Sequence, residues 1–167
     1  MRISSISLAL LALLAPVACD PGDEPILGDA DYVRDPALDI SLRSAHGEAR
    51  SHAQGDNCMA CHQPNGPGPG LFTAAGTLYD ISGDPLPDGA VELRTAPDGN
   101  GDLVARIEVD GLGNFFTTDE LPLPDTALFP TVYSPDGAAR NHMPFPTASA
   151  ACNVCHVGGF VVRVPEA

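Results

Sequence analysis

Between residues 71 and 133 the chain carries short apolar or alternating runs that are separated by turn residues at fairly regular spacing. Alternation with a period of two is typical of β-strands that bury one face. The intervening Gly, Asn and Asp residues accept the positive φ angles that tight turns require. The pattern predicts antiparallel strands at 71–79, 90–95, 103–109, 114–118 and 128–133, and a last strand at 160–164.

The apolar positions of these runs predict a single hydrophobic core. Its expected members are Val91, Leu93, Leu103, Ala105, Ile107, Val109, Phe115 and Leu128. A chain of 167 residues is long enough for one ordinary domain but too short for two large ones. The predicted fold class is therefore mainly β, a single antiparallel β-sandwich over residues 71–134, with loop-rich segments at both ends.

The N-terminus has the pattern of an export signal over residues 1–18. Arg2 gives the positive start, and the apolar run that follows is shorter than the roughly 20 residues that span a bilayer. The run ends at Ala18 and Cys19 and resembles a bacterial lipobox, although Pro16 stands where Leu is usual. The sequence thus predicts export and a lipid anchor on Cys19, at the periplasmic face or the cell surface. The alternative is ordinary cleavage near Ala18 with Cys19 as a spare thiol.

The chain is acidic, with a formal charge of −14. Nucleic acid and anionic membrane surfaces are therefore poor partners, and a basic protein or a solvated surface is a better one. Residues 19–45 are acidic and interrupted by proline, which predicts a flexible tether behind the lipidated cysteine. The other predicted segments are a first cofactor segment at 46–70, a second at 135–158 and the C-terminal strand region at 159–167.

Two complete C-x-x-C-H motifs stand at 58–62 and 152–156, and this pattern is the attachment signature of c-type haem. Two thiols at this spacing can each bond one vinyl group of the porphyrin, while the adjoining His ligates the iron. The sequence predicts two covalent haems, on Cys58, Cys61, Cys152 and Cys155, with His62 and His156 as the first axial ligands.

Two other chemistries use paired cysteines. A zinc site could combine the two C-x-x-C pairs, but about ninety residues separate them. A thioredoxin-like redox motif would require an α/β pattern that the chain lacks. Exported thiols that carry no metal also tend to oxidise, which is a second argument against a zinc site.

The sixth ligand of each iron must come from elsewhere in the chain. His52 lies six residues before Cys58, and His142 lies ten residues before Cys152. These similar offsets predict His52 and His142 as the distal ligands, in either pairing with the two haems. His46 and Met143 are the less favoured candidates.

The stretch from Phe72 to Phe116, with its "GAVEL" strand and "DGLGNF" hairpin, resembles the carboxypeptidase regulatory-like, transthyretin-like β-sandwich. This resemblance implies a scaffold or adhesive module without carboxypeptidase activity. Residues 50 to 160 resemble predicted bacterial exported proteins in which C-x-x-C-H segments flank such a sandwich. That second resemblance implies haem binding and electron transfer.

These observations predict a dihaem c-type cytochrome that transfers electrons and is not an enzyme. Filled axial positions would leave the iron no open site for peroxide or oxygen. One alternative is a small peroxidase-like haem enzyme in which one iron keeps an open position. Another is a surface adhesion module with structural haems. Basic redox proteins or other cytochromes are the expected partners, and self-association would also suit electron transfer.

Overall fold

The computed structural model describes residues 32–165. The predicted signal, Cys19 and the first part of the predicted tether lie outside this range. Short strands dominate the described chain, and its helical elements span one turn. The elements are β1 (Ala74–Thr77), β2 (Ala90–Arg94), β3 (Leu103–Glu108), β4 (Asn114–Thr117), β5 (Phe129–Tyr133), β6 (Arg140–His142), the helix α1 (Cys152–Cys155) and three 3-10 turns at Pro36–Leu38, Cys58–Ala60 and Gly158–Phe160.

The strands form two antiparallel sheets. One sheet pairs β1 with β4, and the other has the strand order β3-β2-β5-β6. The β2–β3 hairpin closes through a turn in which Asp98 and Gly99 both have positive φ angles, a conformation that Asp and Gly tolerate better than other residues. The mainly β, antiparallel prediction is thus confirmed.

One hydrophobic core contains side chains from both sheets. Its buried members are Ala74, Leu78, Val91, Ile107, Val109, Phe115, Val132, Ala139, Ala150 and Val164. Six of the eight predicted core residues are buried, whereas Leu103 is 49% exposed. The reason is a register shift near the end of β2, which sets Leu103 opposite the outward-facing Arg94. Ala105, the other exception, is half-buried.

The opposite face of the larger sheet carries an ion cluster, named here the outer-face cluster. Glu92 accepts hydrogen bonds from Arg94 (2.8 Å), Arg106 (2.7 Å) and the Tyr133 hydroxyl (3.0 Å). Burial raises the pKa of Glu92, but these charged and polar donors outweigh it and hold the pKa below its ordinary value. The Glu92 carboxylate therefore stays ionised although it is buried.

Strand prediction failed at the C-terminal end of the chain. The expected strand at 160–164 is not formed, and this segment contributes one isolated bridge, between Arg163 and Tyr79. The turn Gly158–Phe160 includes the first residue of the predicted strand. The sequence also gave no indication of β6, whose residues Arg140, Asn141 and His142 are all polar.

Part of the predicted tether at 19–45 packs against the body of the protein. The Arg34 guanidinium donates to the carbonyl oxygens of Gly66 (2.6 Å) and Leu38 (3.1 Å), and Gly70 N also donates to Leu38 O. Ser44 N donates to Phe116 O in β4. From Arg34 onward the segment is therefore part of the folded structure.

Candidate functional site

The second C-x-x-C-H motif lies along the free edge of β1. On this edge Ala75 N donates to Ala150 O (2.9 Å) and Tyr79 N donates to Val162 O (3.0 Å). Two isolated parallel bridges, Ala75 with Ala151 and Tyr79 with Arg163, mark the same alignment. Between these two points the chain leaves the edge to form α1 and the turn after it. The motif is therefore an excursion from a strand-like segment, anchored at both ends.

Asn153, inside the second motif, joins this motif to the first. Its buried side-chain amide donates to Asp56 O (2.9 Å) and Thr77 Oγ1 (3.0 Å), and its Oδ1 accepts from Thr77 N (3.0 Å). Asp56 lies two residues before Cys58, so one side chain links segments 97 positions apart in the sequence. The two motifs consequently lie side by side on β1.

Gly76 in β1 allows this close approach. A Cβ atom at this position would lie 2.9 Å from Cys152 Cβ and 2.6 Å from Phe115 Cζ, closer than real Cβ contacts. Burial raises the pKa of the Cys152 thiol to about 12, and the nearby Cys58 thiol adds to the shift. Burial also raises the pKa of Cys58. Cys152 of the second motif therefore packs directly against the backbone of β1 at Gly76.

His62 is held in a tight cradle. The residue is 7% exposed, and its ring stacks on Phe72 with centroids 4.0 Å apart and has Nδ1 2.7 Å from Pro69 O. The loop at 64–70 wraps the ring so closely that a Cβ on Gly68 would lie 2.8 Å from it. Burial lowers the pKa of His62. The imidazole is therefore fixed in orientation and favoured in its neutral form, as a metal ligand must be.

His156 repeats the main feature of His62. Its Nδ1 lies 2.9 Å from Phe160 O, four residues further along the chain. An Nδ1 proton held by a backbone carbonyl directs the lone pair of Nε2 outward, which is the usual arrangement of an imidazole ligand. In both motif histidines Nδ1 is thus engaged by a backbone carbonyl, so Nε2 is the nitrogen that could bind a metal.

His52 lies beside His62. The two ring centroids are 6.1 Å apart and the rings are tilted by 34°. Two imidazoles on opposite sides of one metal, each with a bond of roughly 2.0 Å and roughly 1 Å from nitrogen to centroid, would have centroids about 6 Å apart. The His52 carbonyl accepts a hydrogen bond from Asn114 Nδ2 (3.1 Å), which fixes this loop to β4. Of the two motif histidines, His62 is therefore the one beside which His52 lies.

A cavity of about 720 Å³ opens next to the second motif. Its lining includes Cys152, Cys155 and His156 together with apolar side chains of both sheets, Leu78, Phe115, Val91 and Val132. A pocket of this size and character is typical of cofactor sites. Met59, Met143 and His142 also contribute to its walls.

Large apolar side chains are exposed around the second motif. Phe160 is 80% exposed, Phe145 68% and Val157 48%, and Phe160 borders the cavity. Covering one phenylalanine contributes about 2 kcal/mol. A flat apolar group bound in the cavity would therefore cover apolar surface, such as that of Phe160, which is otherwise exposed to water.

The remaining candidate, His46, is engaged elsewhere. Its Nε2 lies 2.9 Å from Gly89 O, at the start of β2. The nitrogen that would bind iron thus has a backbone partner. His46 lies at neither motif.

Three residues that shape this site gave no sequence signal. Asn153 occupies a variable position of its motif, and Gly76 and Gly68 are two of 17 glycines. Their roles depend on which surfaces meet in three dimensions. Phe72 is different, because an apolar residue two positions after the loop at 64–70 could have been suspected as a packing partner of that loop.

Comparison of the chain with family models, curated proteins and solved structures found no match. Among residues 32–165, no three His, Cys, Asp or Glu side chains are close enough to hold a metal ion on their own. A c-type haem makes a different demand, since two thiols and one imidazole suffice for each group. No helix in the same range has the length and apolar character needed to cross a membrane.

Proposed function

We propose that this protein is a dihaem c-type cytochrome that transfers electrons on the extracytoplasmic side of a bacterial membrane. The observation that carries the proposal is the shared setting of His62 and His156. Each adjoins a C-x-x-C pair and has Nδ1 within 2.9 Å of a backbone carbonyl. A backbone carbonyl that holds one ring nitrogen is the usual setting of a metal-ligating histidine.

The residues divide into two sets. Cys58, Cys61 and His62 would hold one haem, with His52 as its sixth ligand. Cys152, Cys155 and His156 would hold the other, next to the 720 Å³ cavity. When bound, haem iron supplies one-electron redox chemistry between its ferric and ferrous states.

The protein frame would serve this chemistry in two ways. Asn153 and the edge of β1 hold the two attachment segments in contact, and electron passage between two centres requires short separation. The buried His62 ring and its Phe72 stack keep one ligand immobile, which limits reorganisation when the iron changes its charge. Electron transfer is thus favoured over substrate conversion.

The carboxypeptidase regulatory-like sandwich and the lipid anchor belong to the same proposal. Both are supported by the sequence patterns at 72–116 and around Cys19. Replacing residues 1–19 with an ordinary cleavable secretory signal should move the protein from the membrane fraction to the soluble fraction without loss of haem. Recovery of the natural chain in the soluble fraction alone would contradict the anchor.

Covalent haem is tested by producing the full chain in a host with a cytochrome c maturation system. The natural protein should give a haem-stained band and a mass that corresponds to two haems. The Cys58→Ala/Cys61→Ala and Cys152→Ala/Cys155→Ala variants should each retain one haem. The variant that lacks all four cysteines should retain none, and an unchanged haem stain in it would end the proposal.

Carbon monoxide separates electron transfer from peroxidase-like catalysis. Two irons with filled axial positions should leave the spectrum of the reduced protein unchanged when the gas is added. Rapid carbon monoxide binding by the natural protein would favour the enzyme alternative, because it would reveal an open iron.

A further inference from the structure

The register of β6 separates His142 from its neighbour Met143. In the β5–β6 ladder Thr131 is paired with His142 and Val132 with Asn141. Met143 N extends the ladder by donating to Pro130 O (3.1 Å). Successive residues of a strand point to opposite faces, and residues directly opposite each other share a face.

The His142 imidazole lies on the outer face of the sheet. Its Nδ1 is 3.0 Å from Thr131 Oγ1. The β2–β3 turn covers the ring from the same side, because a Cβ on Gly99 would lie 3.1 Å from His142 Cε1 and 3.8 Å from the Tyr133 hydroxyl oxygen. That hydroxyl belongs to the outer-face cluster. His142 therefore contributes to the cavity wall although its imidazole ring is held on the opposite face of the sheet.

Met143 occupies the cavity face. Its cross-strand neighbour Pro130 and the next inward residue of β5, Val132, both line the cavity, as does Asn141 two residues before it. Met143 itself is part of the lining, together with His156. A half-buried thioether in an apolar wall has no hydrogen bond to give up on binding a metal.

We infer that Met143, and not His142, is the sixth ligand of the haem held by Cys152, Cys155 and His156. This inference rests on the proposed function. The two haems then differ, with two imidazoles on the first iron and one imidazole and one thioether on the second. A thioether raises the reduction potential of haem iron, so this difference in ligands favours electron flow from the first haem to the second.

The competing ligand is Met59, which also lines the cavity. Its backbone N–H donates to the Asn57 side chain at the start of the turn Cys58–Ala60, inside the first motif. Ligation by Met59 would link one haem to the attachment segment of the other. The experiment has to distinguish these two thioethers as well as the imidazole.

The test uses the full chain carrying Cys58→Ala/Cys61→Ala, so that every haem signal comes from the second site. The ferric form should show the far-red absorption band of His/Met ligation. Adding Met143→Leu, which nearly conserves volume, should abolish the band, lower the reduction potential and make the reduced iron bind carbon monoxide. His142→Ala and Met59→Leu should each leave the band and the potential in place.

Three results would overturn the inference while leaving the proposed function intact. The first is covalent haem without a far-red band in the parent. The second is loss of the band in Met59→Leu, and the third is a far-red band that persists in Met143→Leu. Absence of any covalent haem would instead refute the proposed function. Unfolding by urea, followed by circular dichroism, should show that Met143→Leu remains folded, and the second variant Met143→His should restore a closed iron without the far-red band.

Discussion

Replacing Asn153 with Ala tests whether this side chain holds the two motifs together. The substitution removes three hydrogen bonds, two donated by Nδ2 to Asp56 O and Thr77 Oγ1 and one accepted by Oδ1 from Thr77 N. The site is buried, so water cannot replace these partners without opening the edge of β1. At about 1 kcal/mol for each net hydrogen bond, the free energy of unfolding should fall by about 3 kcal/mol.

Thermal and urea unfolding of the haem-loaded protein measure this loss. For a domain of this size, about 3 kcal/mol corresponds to a decrease in Tm of roughly 6–12 °C. Asn100→Ala is the matched control, because that amide caps an exposed turn through a single bond to Pro97 O. It should change the free energy of unfolding by less than about 0.5 kcal/mol.

Asn153→Asp separates the acceptor from the donor role. Aspartate keeps an oxygen for Thr77 N but has no N–H to donate, and its charge would face the Asp56 carbonyl oxygen. This variant should therefore be at least as unstable as the alanine variant. If both variants unfold like Asn100→Ala, the bridge between the motifs does not contribute as argued.

Three further predictions concern other parts of the structure. Glu92→Gln should make the free energy of unfolding less dependent on pH in acid. Because its pKa is lowered in the folded state, the Glu92 carboxylate stabilises the fold above pH 4.5 and loses this contribution as the pH falls below that value. Urea unfolding from pH 7 to pH 3 would measure the difference. Gly68→Ala should lower the free energy of unfolding in urea by about 1–3 kcal/mol, because the added methyl group would contact the His62 ring. An unchanged urea midpoint would contradict the close packing of the loop at 64–70 on that ring. In haem-free folded protein, iodoacetamide should label the exposed Cys61 well before Cys152, whose pKa is about 12, and equal rates followed by mass spectrometry would contradict the burial.

The strands could be predicted because their alternation is local. β2 follows the alternation of its own residues, while β4 was indicated by its aromatic pair and by the Gly- and Asp-rich turn before it. β6 could not be predicted, since Arg140 to His142 are polar and pair with β5 only through the tertiary fold. The segment at 160–164 shows the reverse error, because its apolar residues border the cavity and the core without joining a ladder over their length.

The site divides in the same way. The two C-x-x-C-H motifs could be identified from the sequence because their spacing is local, and His52 was a candidate because it lies six residues before Cys58. That both motifs meet on β1 does not follow, since it depends on Asn153 and Gly76 at positions with no distinctive pattern.

The opposite faces occupied by His142 and Met143 show why similar offsets from a motif are weak evidence for similar roles. An offset measures the length of chain available, and a loop such as the one at His52 can turn a side chain in many directions. In a strand, the direction is set by register, and a shift of one residue exchanges the two faces. The bond from Met143 N to Pro130 O fixes that register, and Thr131 holds the neighbouring imidazole on the outer face. Two segments with similar sequence spacing can therefore present different side chains to their motifs, and under the proposed function the two haems would differ in potential for that reason.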